Sequence, residues 1–266
     1  MSDNETREFP TATKSIIKNS YSCDEQAIKN VFLISSKAGK GTGFLLSPSG
    51  IIITNEHVVS GCSPTEIQAI SSSGEGYQFK HCILDKDRDL AALIPNVKIS
   101  GGLILNVLDI KVRQEVETWG FPLYYDGPNP LVSVGHVSGF SFAKDKGVIT
   151  RIIVNAAFNN GNSGGPLLRA GTNEVVGVVV AKWAPFTEFQ ESALEALKKT
   201  KSGLQFTATD FRGKKYRLSE AQLVADLLLQ HKMLVQVMYG EAISAKELET
   251  FLEANNYDIA SKIGDY

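Results

Sequence analysis

The sequence predicts a mostly β protein whose C-terminal part is helical. Between residues 31 and 210 the apolar runs are short and rich in valine and isoleucine, and turn clusters of Gly, Ser, Asn, Asp and Pro separate them. This spacing is typical of an all-β sandwich or barrel. From Ser219 onward the apolar residues recur at helical spacing instead. With 266 residues, 43% of them hydrophobic and 21% charged, the chain can bury a large core.

Helical patterns mark two regions, and a polar stretch opens the chain. Residues 1–24 lack periodicity and are predicted to be a mobile lead. Residues 187–199 place their apolar side chains on one helical face. Ser219 and Gln222 form an S-x-x-Q capping box, and Ser244 with Glu247 repeats the pattern. The sequence therefore predicts one helix within the β region and two near the C-terminus.

Charge and composition exclude several classes of partner. Lys plus Arg is 27 and Asp plus Glu is 29, so the net charge of −2 does not favour a nucleic-acid surface. No run approaches the length of a membrane span. Three cysteines are too few for a disulfide framework, and an odd number leaves at least one of them unpaired. The N-terminus lacks a secretory signal, so we expect a cytoplasmic protein with reduced thiols. The cysteines and histidines are scattered, so neither a metal nor another cofactor is expected.

The segment with the clearest chemical content is Gly-Asn-Ser-Gly-Gly-Pro at residues 161–166. Glycines on both sides of Ser163 allow a tight turn that leaves the hydroxyl uncovered and points successive N–H groups into one space. Acyl transfer needs this combination of a nucleophile and oxyanion donors. The alternative is an ordinary surface turn, because Gly and Ser are common in turns.

A serine nucleophile needs a base, and the chain has four histidines. His57 follows the buried-strand pattern of residues 50–56, which would hold it rigidly at the edge of a cleft. His81 lies in the middle of a predicted strand and fits a structural role. His136 borders a valine-rich strand and is the weaker rival, while His231 lies on a predicted helix. His57 is therefore the favoured base.

The base in turn needs a carboxylate that fixes its tautomer. Asp89 directly precedes the apolar strand at residues 90–94, which suggests a half-buried acid. Asp85 and Asp87 lie in a charged turn and are expected to be solvated. The pattern alone does not decide whether Asp89 supports the histidine.

Several separated motifs follow one another along the chain: GTGF at 41–44, TNEHVV at 54–59, DKDRDLA at 85–91, WGFP at 119–122, GHVS at 135–138, NAAFN at 155–159 and GNSGGP at 161–166. In this order they resemble the trypsin-like serine peptidases, above all their HtrA/Deg-type branch, over about residues 30–210. The resemblance implies that Ser163 is the nucleophile and His57 the general base, oriented by Asp89. It also implies an oxyanion hole formed by the N–H groups of Gly161 and Ser163, and a protein or peptide substrate.

The same resemblance implies a chymotrypsin/trypsin-like double β-barrel with the active-site cleft between two six-stranded barrels. The expected bounds are 25–110 for the first barrel, 111–215 for the second barrel with a helical insertion at about 187–199, and 216–266 for a C-terminal helical extension. A PDZ domain is not evident, because the remaining residues look helical and are too few for one.

This sequence departs from the family pattern at three positions. Val58 stands where secreted trypsins carry a cysteine, which agrees with reduced thiols. Asn155 replaces the usual Asp of the HtrA-type motif, and Asn160 replaces the usual Pro. Because proline would fix one φ angle, Asn160 loosens the loop before the oxyanion hole. This suggests the hypothesis that the loop holds the hole collapsed until something binds.

The resemblance places the base of the specificity pocket at Ala157, six residues before the nucleophile. A Lys or Arg side chain of the substrate would find no partner charge there, and burial of a lone charge is costly. Val179 and Ala181, within the apolar run 178–181, and Phe206 are expected to form apolar walls. The sequence thus predicts cleavage after small or aliphatic residues.

The leading interpretation is a serine endopeptidase whose helical insertion or tail regulates the cleft or binds an activating protein. The alternative role for these helices is packing that shields a barrel edge. The alternative function is a dormant or non-catalytic peptidase-fold module in a signalling or defence assembly, activated by a partner or serving to bind one.

Overall fold

The computed structural model describes residues 21–143, 149–180, 188–201, 203–209, 213, 215–234 and 239–257. The chain divides into two compact units. The barrel unit comprises Met1–Ala181 with Tyr239–Tyr266, and the inserted unit comprises Lys182–Met238.

The described secondary structure is dominated by strands. The strands are β1 (Val31–Ser36), β2 (Gly39–Ser47), β3 (Ile51–Thr54), β4 (Gln68–Ile70), β5 (Gly76–Tyr77), β6 (Phe79–Asp85), β7 (Leu90–Pro95), β8 (Leu103–Leu105), β9 (Glu115–Gly120), β10 (Leu131–Ala143), β11 (Ile149–Val154), β12 (Pro166–Arg169), β13 (Glu174–Val180), β14 (Gln205–Thr209), β15 (Lys215–Ser219) and β16 (Gly240–Ser244). The helices are α1 (Tyr21–Asn30), α2 (Glu56–Val59), α3 (Glu188–Lys199), α4 (Glu220–Leu234) and α5 (Ala245–Ala254), with a 3₁₀ turn at Pro64–Glu66.

The first barrel is built from antiparallel neighbours in the order β6–β7–β3–β2–β1–β4–β5. Alternate side chains of these strands point inward, because successive residues of a strand face opposite sides. Phe32, Leu45, Ile52 and Leu93 are fully buried in the resulting core. These seven strands, one more than the expected six, share one apolar interior.

The second barrel closes completely within the described residues. Each strand pairs antiparallel with the next in the order β9–β10–β11–β16–β13–β12, and β12 returns to pair with β9. Val137, Ile152, Leu167 and Val179 pack inside it. Strand β8 pairs in parallel with both β2 and β13 and so joins the two barrels.

The structure ends the second barrel at a different place from the one expected. Residues 205–209 do form a strand, but β14 pairs with β15 in a separate two-stranded sheet. The sixth barrel strand is β16, whose Ala242 and Ile243 are fully buried, whereas Gln205, Phe206 and Thr207 are exposed. A barrel strand must bury apolar side chains, and β16 does so. Residues 216–266 are therefore not one helical extension.

The inserted unit contains α3, the β14–β15 hairpin and α4. Helix α3 confirms the prediction at residues 187–199. The predicted capping box also forms, because the Ser219 N–H donates to Gln222 Oε1 at 3.0 Å and the Gln222 N–H donates to Ser219 Oγ at 3.3 Å. None of the helices in the described part of the chain has the length and hydrophobicity that a membrane crossing requires.

Helix α5 follows β16 directly and belongs to the barrel unit. Ser244 Oγ accepts the Glu247 N–H at 3.4 Å, which confirms half of the second predicted box. The Glu247 carboxylate does not return to Ser244 but bonds elsewhere, as described below. Leu248 and Leu252 are fully buried and attach the helix to the barrels.

At the other end of the described chain, α1 begins within the stretch predicted to be a mobile lead. Ala27 of this helix is buried in the core that the two barrels share. Residues 1–20 of the predicted lead lie outside the described residues.

Candidate active site

His57 lies on the single helical turn that follows a buried strand. Strand β3 ends at Thr54, and α2 begins two residues later. Val58 and Val59 are buried in the first barrel and fix this turn, whereas 48% of the His57 side chain is exposed. The fold thus presents the imidazole to solvent from a rigid support.

Asp89 contacts His57 in two ways. Its carboxylate oxygens lie 2.9 and 3.0 Å from His57 Nδ1, and Oδ1 also accepts the backbone N–H of His57 at 3.1 Å. A carboxylate in this position favours the proton on Nδ1, which leaves Nε2 with a free lone pair. The ring is therefore oriented and its exposed nitrogen can act as a base.

The loop that carries Asp89 is anchored on both sides. Asp89 has a φ of 60°, in the left-handed region that Asp tolerates better than most residues, and its carbonyl accepts Asn55 Nδ2 at 2.9 Å. Arg88 donates to Asp85 at 2.9 Å and to Glu247 of α5 at 3.0 Å. The expectation that Asp85 is solvated is wrong, because it pairs with Arg88 and its side chain is only 19% exposed.

A second arginine approaches this loop from β11. Arg151 Nη2 donates to the Arg88 carbonyl at 3.5 Å. Burial lowers the pKa of the Arg151 guanidinium, whereas the charges of Asp89, Glu241 and Glu247 act to raise it. A partly buried cation of the second barrel therefore faces the acid-bearing loop of the first.

The turn that carries Ser163 docks directly on the segment that precedes His57. The Ser163 carbonyl accepts the Thr42 N–H at 2.8 Å. Gly164 has a φ of 84°, and a Cβ there would overlap Thr54 Oγ1 and lie 2.9 Å from the Asn55 nitrogen. Only glycine fits this approach. The structure thus brings the Ser163 turn and the His57 segment into contact across the two barrels.

The carbonyls of the serine turn determine where its N–H groups point. The Asn160 carbonyl accepts the Leu123 N–H at 2.7 Å, and the Asn162 carbonyl accepts the Gly165 N–H at 2.9 Å. In a trans peptide the C=O and N–H point in opposite directions. The N–H groups of Gly161 and Ser163 therefore point away from these anchored carbonyls. Although Asn160 lacks the restraint of proline, its peptide group is bonded here.

The residues expected to line the specificity pocket belong to different elements. Ala157 is exposed, but Val179 is fully buried inside the second barrel. Phe206 lies on β14 of the inserted unit, and Ala181 lies outside the described residues. The expectation for Phe206 assumed that β14 is a barrel strand; β16, which begins at Gly240, has that place instead.

The other histidines belong to other elements of the fold. His81 and His136 are exposed on β6 and β10, and His231 lies on α4 of the inserted unit, where its side chain is outside the described part. Asn155, which replaces the usual Asp, accepts the His136 N–H through its side chain at 2.6 Å. It thus joins β10 to the end of β11.

Sequence reasoning missed three residues that hold the site: Thr42, Asn55 and Glu247. Their partners lie 119, 34 and 159 residues away in the chain. Thr42 and Asn55 lie in the GTGF and TNEHVV motifs and Glu247 lies in a predicted capping box, but these local patterns do not reveal contacts at such separations. The position of Thr42 between two glycines in a strand was a further indication, because glycine there often marks close backbone approach.

These features define a trypsin-like peptidase fold. Residues 41–178, just over half of the chain, match the family described as "Trypsin-like peptidase domain". The chain belongs to this family, which confirms the resemblance found in the sequence.

Individual relatives are of the HtrA/Deg type. The chain is similar to the serine protease HTRA3 of Rattus norvegicus, with 29% identity over 157 residues, covering 56% of this chain and 34% of that protein. It is also similar to the chloroplastic Protease Do-like 1 of Arabidopsis thaliana, with 30% identity over 155 residues, covering 55% and 34%. The chain thus spans about a third of the length of these relatives.

A solved structure supports the fold over a longer stretch. The active form of the Rv3671c protease from M. tuberculosis superposes with a TM-score of 0.57 at 17% identity, covering 95% of this chain and 93% of that one. This similarity confirms the expected trypsin-like fold.

We expect Glu247→Ala to destabilise the protein. The Glu247 side chain is 12% exposed, and its two oxygens accept the Thr150 N–H and Arg88 Nε, both at 3.0 Å. Removal leaves the partly buried Thr150 N–H and Arg88 Nε without this acceptor, so the free energy of unfolding should fall by about 1–3 kcal/mol. Urea denaturation measures this change. Glu253→Ala, an exposed position on the same helix, is the matched control and should have little effect.

Proposed function

We propose that this chain is a serine endopeptidase that cleaves proteins through an acyl-enzyme on Ser163. The observation that carries the proposal is the double contact of Asp89 with the His57 backbone and ring, beside a docked serine turn. This contact orients an exposed imidazole nitrogen. Membership of the trypsin-like peptidase family supports the same assignment.

Each proton has a defined path in this mechanism. His57 Nε2 removes the Ser163 hydroxyl proton as the oxygen attacks the peptide carbonyl, and Asp89 stabilises the resulting imidazolium. The imidazolium then gives its proton to the leaving amine as the C–N bond breaks. In the second half, His57 removes a proton from water, which attacks the acyl-enzyme, and returns it to the Ser163 oxygen.

The N–H groups of Gly161 and Ser163 stabilise the negative oxygen of each tetrahedral intermediate. Donors fixed before the reaction do not have to reorganise during it, and loss of one costs roughly 10²- to 10³-fold in rate. The bonded carbonyls of Asn160 and Asn162 support this role, because they fix both peptide planes.

We predict that a fluorophosphonate probe labels the purified chain at Ser163. Labelling should be lost in Ser163→Ala and suppressed in His57→Ala, because the hydroxyl needs its base. Peptidase turnover should fall by at least about 10⁴-fold when Ser163, His57 or Asp89 is replaced. Intact-mass spectrometry detects the adduct. His136→Ala replaces another exposed histidine and should label like the unaltered chain.

Two results would redirect this proposal. Labelling in a cell lysate, but not of the purified chain, would favour a dormant peptidase that a partner activates. No labelling in either setting would favour the non-catalytic binding module.

We further propose that the primary pocket accepts small or aliphatic side chains. Ala157 offers no charge at its base. The adjacent Phe158 is half-buried and packs against Gly240 so closely that a Cβ on this glycine would overlap the ring. In this proposal the ring lies beside the pocket base at Ala157, which supports cleavage after small residues.

Ala157→Asp should shift cleavage toward Lys and Arg. A carboxylate at the base would pair with the cationic side chain that the present pocket leaves without a partner. A peptide library read by mass spectrometry reports the residue before each cut. Ala157→Asn, of similar size and no charge, is the control. A preference that does not change in the Asp variant would refute this placement of the pocket.

The inserted unit is our proposed regulator. Val180 of β13 and Glu241 of β16 are direct partners in the ladder, so a short turn would suffice to join these strands. The barrel therefore closes without residues 182–238. The extra chain follows β13 in the sequence, and Val179 of this strand bonds Gly164 and Gly165 directly after Ser163. This connection supports a role in controlling activity.

Replacement of residues 182–239 by Asn-Gly should leave a folded barrel unit but change its peptidase activity. If the insertion controls the site, kcat/KM should change by roughly 5- to 150-fold, the range typical of coupled sites. Circular dichroism checks folding and a fluorogenic peptide measures activity. Unchanged activity in the folded variant would show that the insertion is packing only.

A further inference from the structure

The serine turn is held at four successive carbonyl groups. The bonds are Leu123 N–H to the Asn160 carbonyl at 2.7 Å, Thr42 Oγ1 to the Gly161 carbonyl at 2.7 Å, Gly165 N–H to the Asn162 carbonyl at 2.9 Å and Thr42 N–H to the Ser163 carbonyl at 2.8 Å. Backbone amides supply three of these donors. The Thr42 hydroxyl supplies the fourth, so it is the one that a substitution can remove.

Thr42 is fully buried, and its hydroxyl bonds in both directions. It donates to the Gly161 carbonyl and accepts the Phe121 N–H at 3.0 Å. A hydroxyl has one proton, so the bond from Phe121 leaves that proton free to point at Gly161. A strand of the first barrel thereby fixes the turn of the second.

The peptide group after Gly161 is consequently fixed on both sides. Its carbonyl is bonded to Thr42, and its N–H, on Asn162, donates to the Asn159 carbonyl at 2.9 Å. Gly161 has a φ of 99°, and glycine rotates readily about its backbone bonds. Asn160 before it lacks the restraint of a proline ring. The turn thus depends on hydrogen bonds, not on rigid residues, for its shape.

We infer that Thr42 is a positioning residue for the oxyanion hole: its hydroxyl fixes the peptide group between Gly161 and Asn162, which lies between the two peptide groups that carry the oxyanion donors, the N–H groups of Gly161 and Ser163. Thr42 does not touch the substrate. The inference rests on the proposed peptidase function and assigns to it a residue of the opposite barrel.

Thr42→Val removes the hydroxyl at nearly constant shape. The Gly161 carbonyl then loses its donor and the turn can rotate. Because an oxyanion forms only in the transition state, kcat should fall while KM changes little. We expect a decrease in kcat of about 10- to 100-fold, below the roughly 10²- to 10³-fold cost of removing an oxyanion donor itself. Thr42→Ser keeps the hydroxyl and should recover most of the activity.

Thr118→Val is the matched control. Thr118 is fully buried in β9, and within the described residues its hydroxyl has no hydrogen-bond partner. This variant makes the same chemical change without removing a bond, so kcat should not change. If circular dichroism shows that Thr42→Val does not fold, Thr42→Ala replaces it, because alanine removes the hydroxyl without placing a methyl group against the Gly161 carbonyl.

A second measurement separates this inference from the proposed function. Amide hydrogen exchange of the full-length Ser163→Ala chain, read by mass spectrometry over residues 159–165, should become faster when Thr42→Val is added and stay the same with Thr118→Val.

Unchanged kcat in folded Thr42→Val, a change confined to KM, or failure of Thr42→Ser to recover activity would overturn the inference. If the unaltered chain shows no turnover, the proposed function fails. The positioning role is then tested by hydrogen exchange alone, and exchange over residues 159–165 that does not change with Thr42→Val would overturn it.

Discussion

The candidate site depends on one close approach between two backbones. His57 and Asp89 belong to the first barrel and Ser163 to the second, so the groups meet only if the barrels dock at the serine turn. The Thr42 N–H to Ser163 carbonyl bond marks this contact, and Gly164 allows it because a side chain there would overlap Thr54. Gly164 is therefore required for two reasons: the turn needs its positive φ, and the two barrels leave no space for a side chain.

The loop that carries Asp89 is held by ion pairs that are partly buried. Desolvation of such groups is costly, so their partners have to be well placed. Arg88 reaches both Asp85 in its own loop and Glu247 on the C-terminal helix. Glu247 also accepts the Thr150 N–H at the start of β11. The last helix is thus part of the support of Asp89, although it lies far from that residue in the chain.

Local patterns led to the contact between His57 and Asp89, whereas the strand order around it depends on the tertiary structure. Gly-x-Ser-Gly-Gly and a histidine after a buried strand are local patterns, which can be recognised without knowledge of the tertiary structure. The sixth strand of the second barrel is different. Residues 205–209 have a strand pattern and do form a strand, but the pattern does not specify which strand they pair with. The place in the second barrel goes to β16, because its side chains are buried. Thr42 and Glu247 escaped prediction for the same reason, since their partners are distant in the chain.

The most direct test of the central claim is a crystal structure of the chain after reaction with a peptidyl chloromethyl ketone. The account predicts one inhibitor bonded to both Ser163 Oγ and His57 Nε2, with its former carbonyl oxygen roughly 2.7–3.1 Å from the N–H groups of Gly161 and Ser163. An adduct that leaves His57 unmodified and remote from Ser163, or whose oxygen faces solvent, would contradict it.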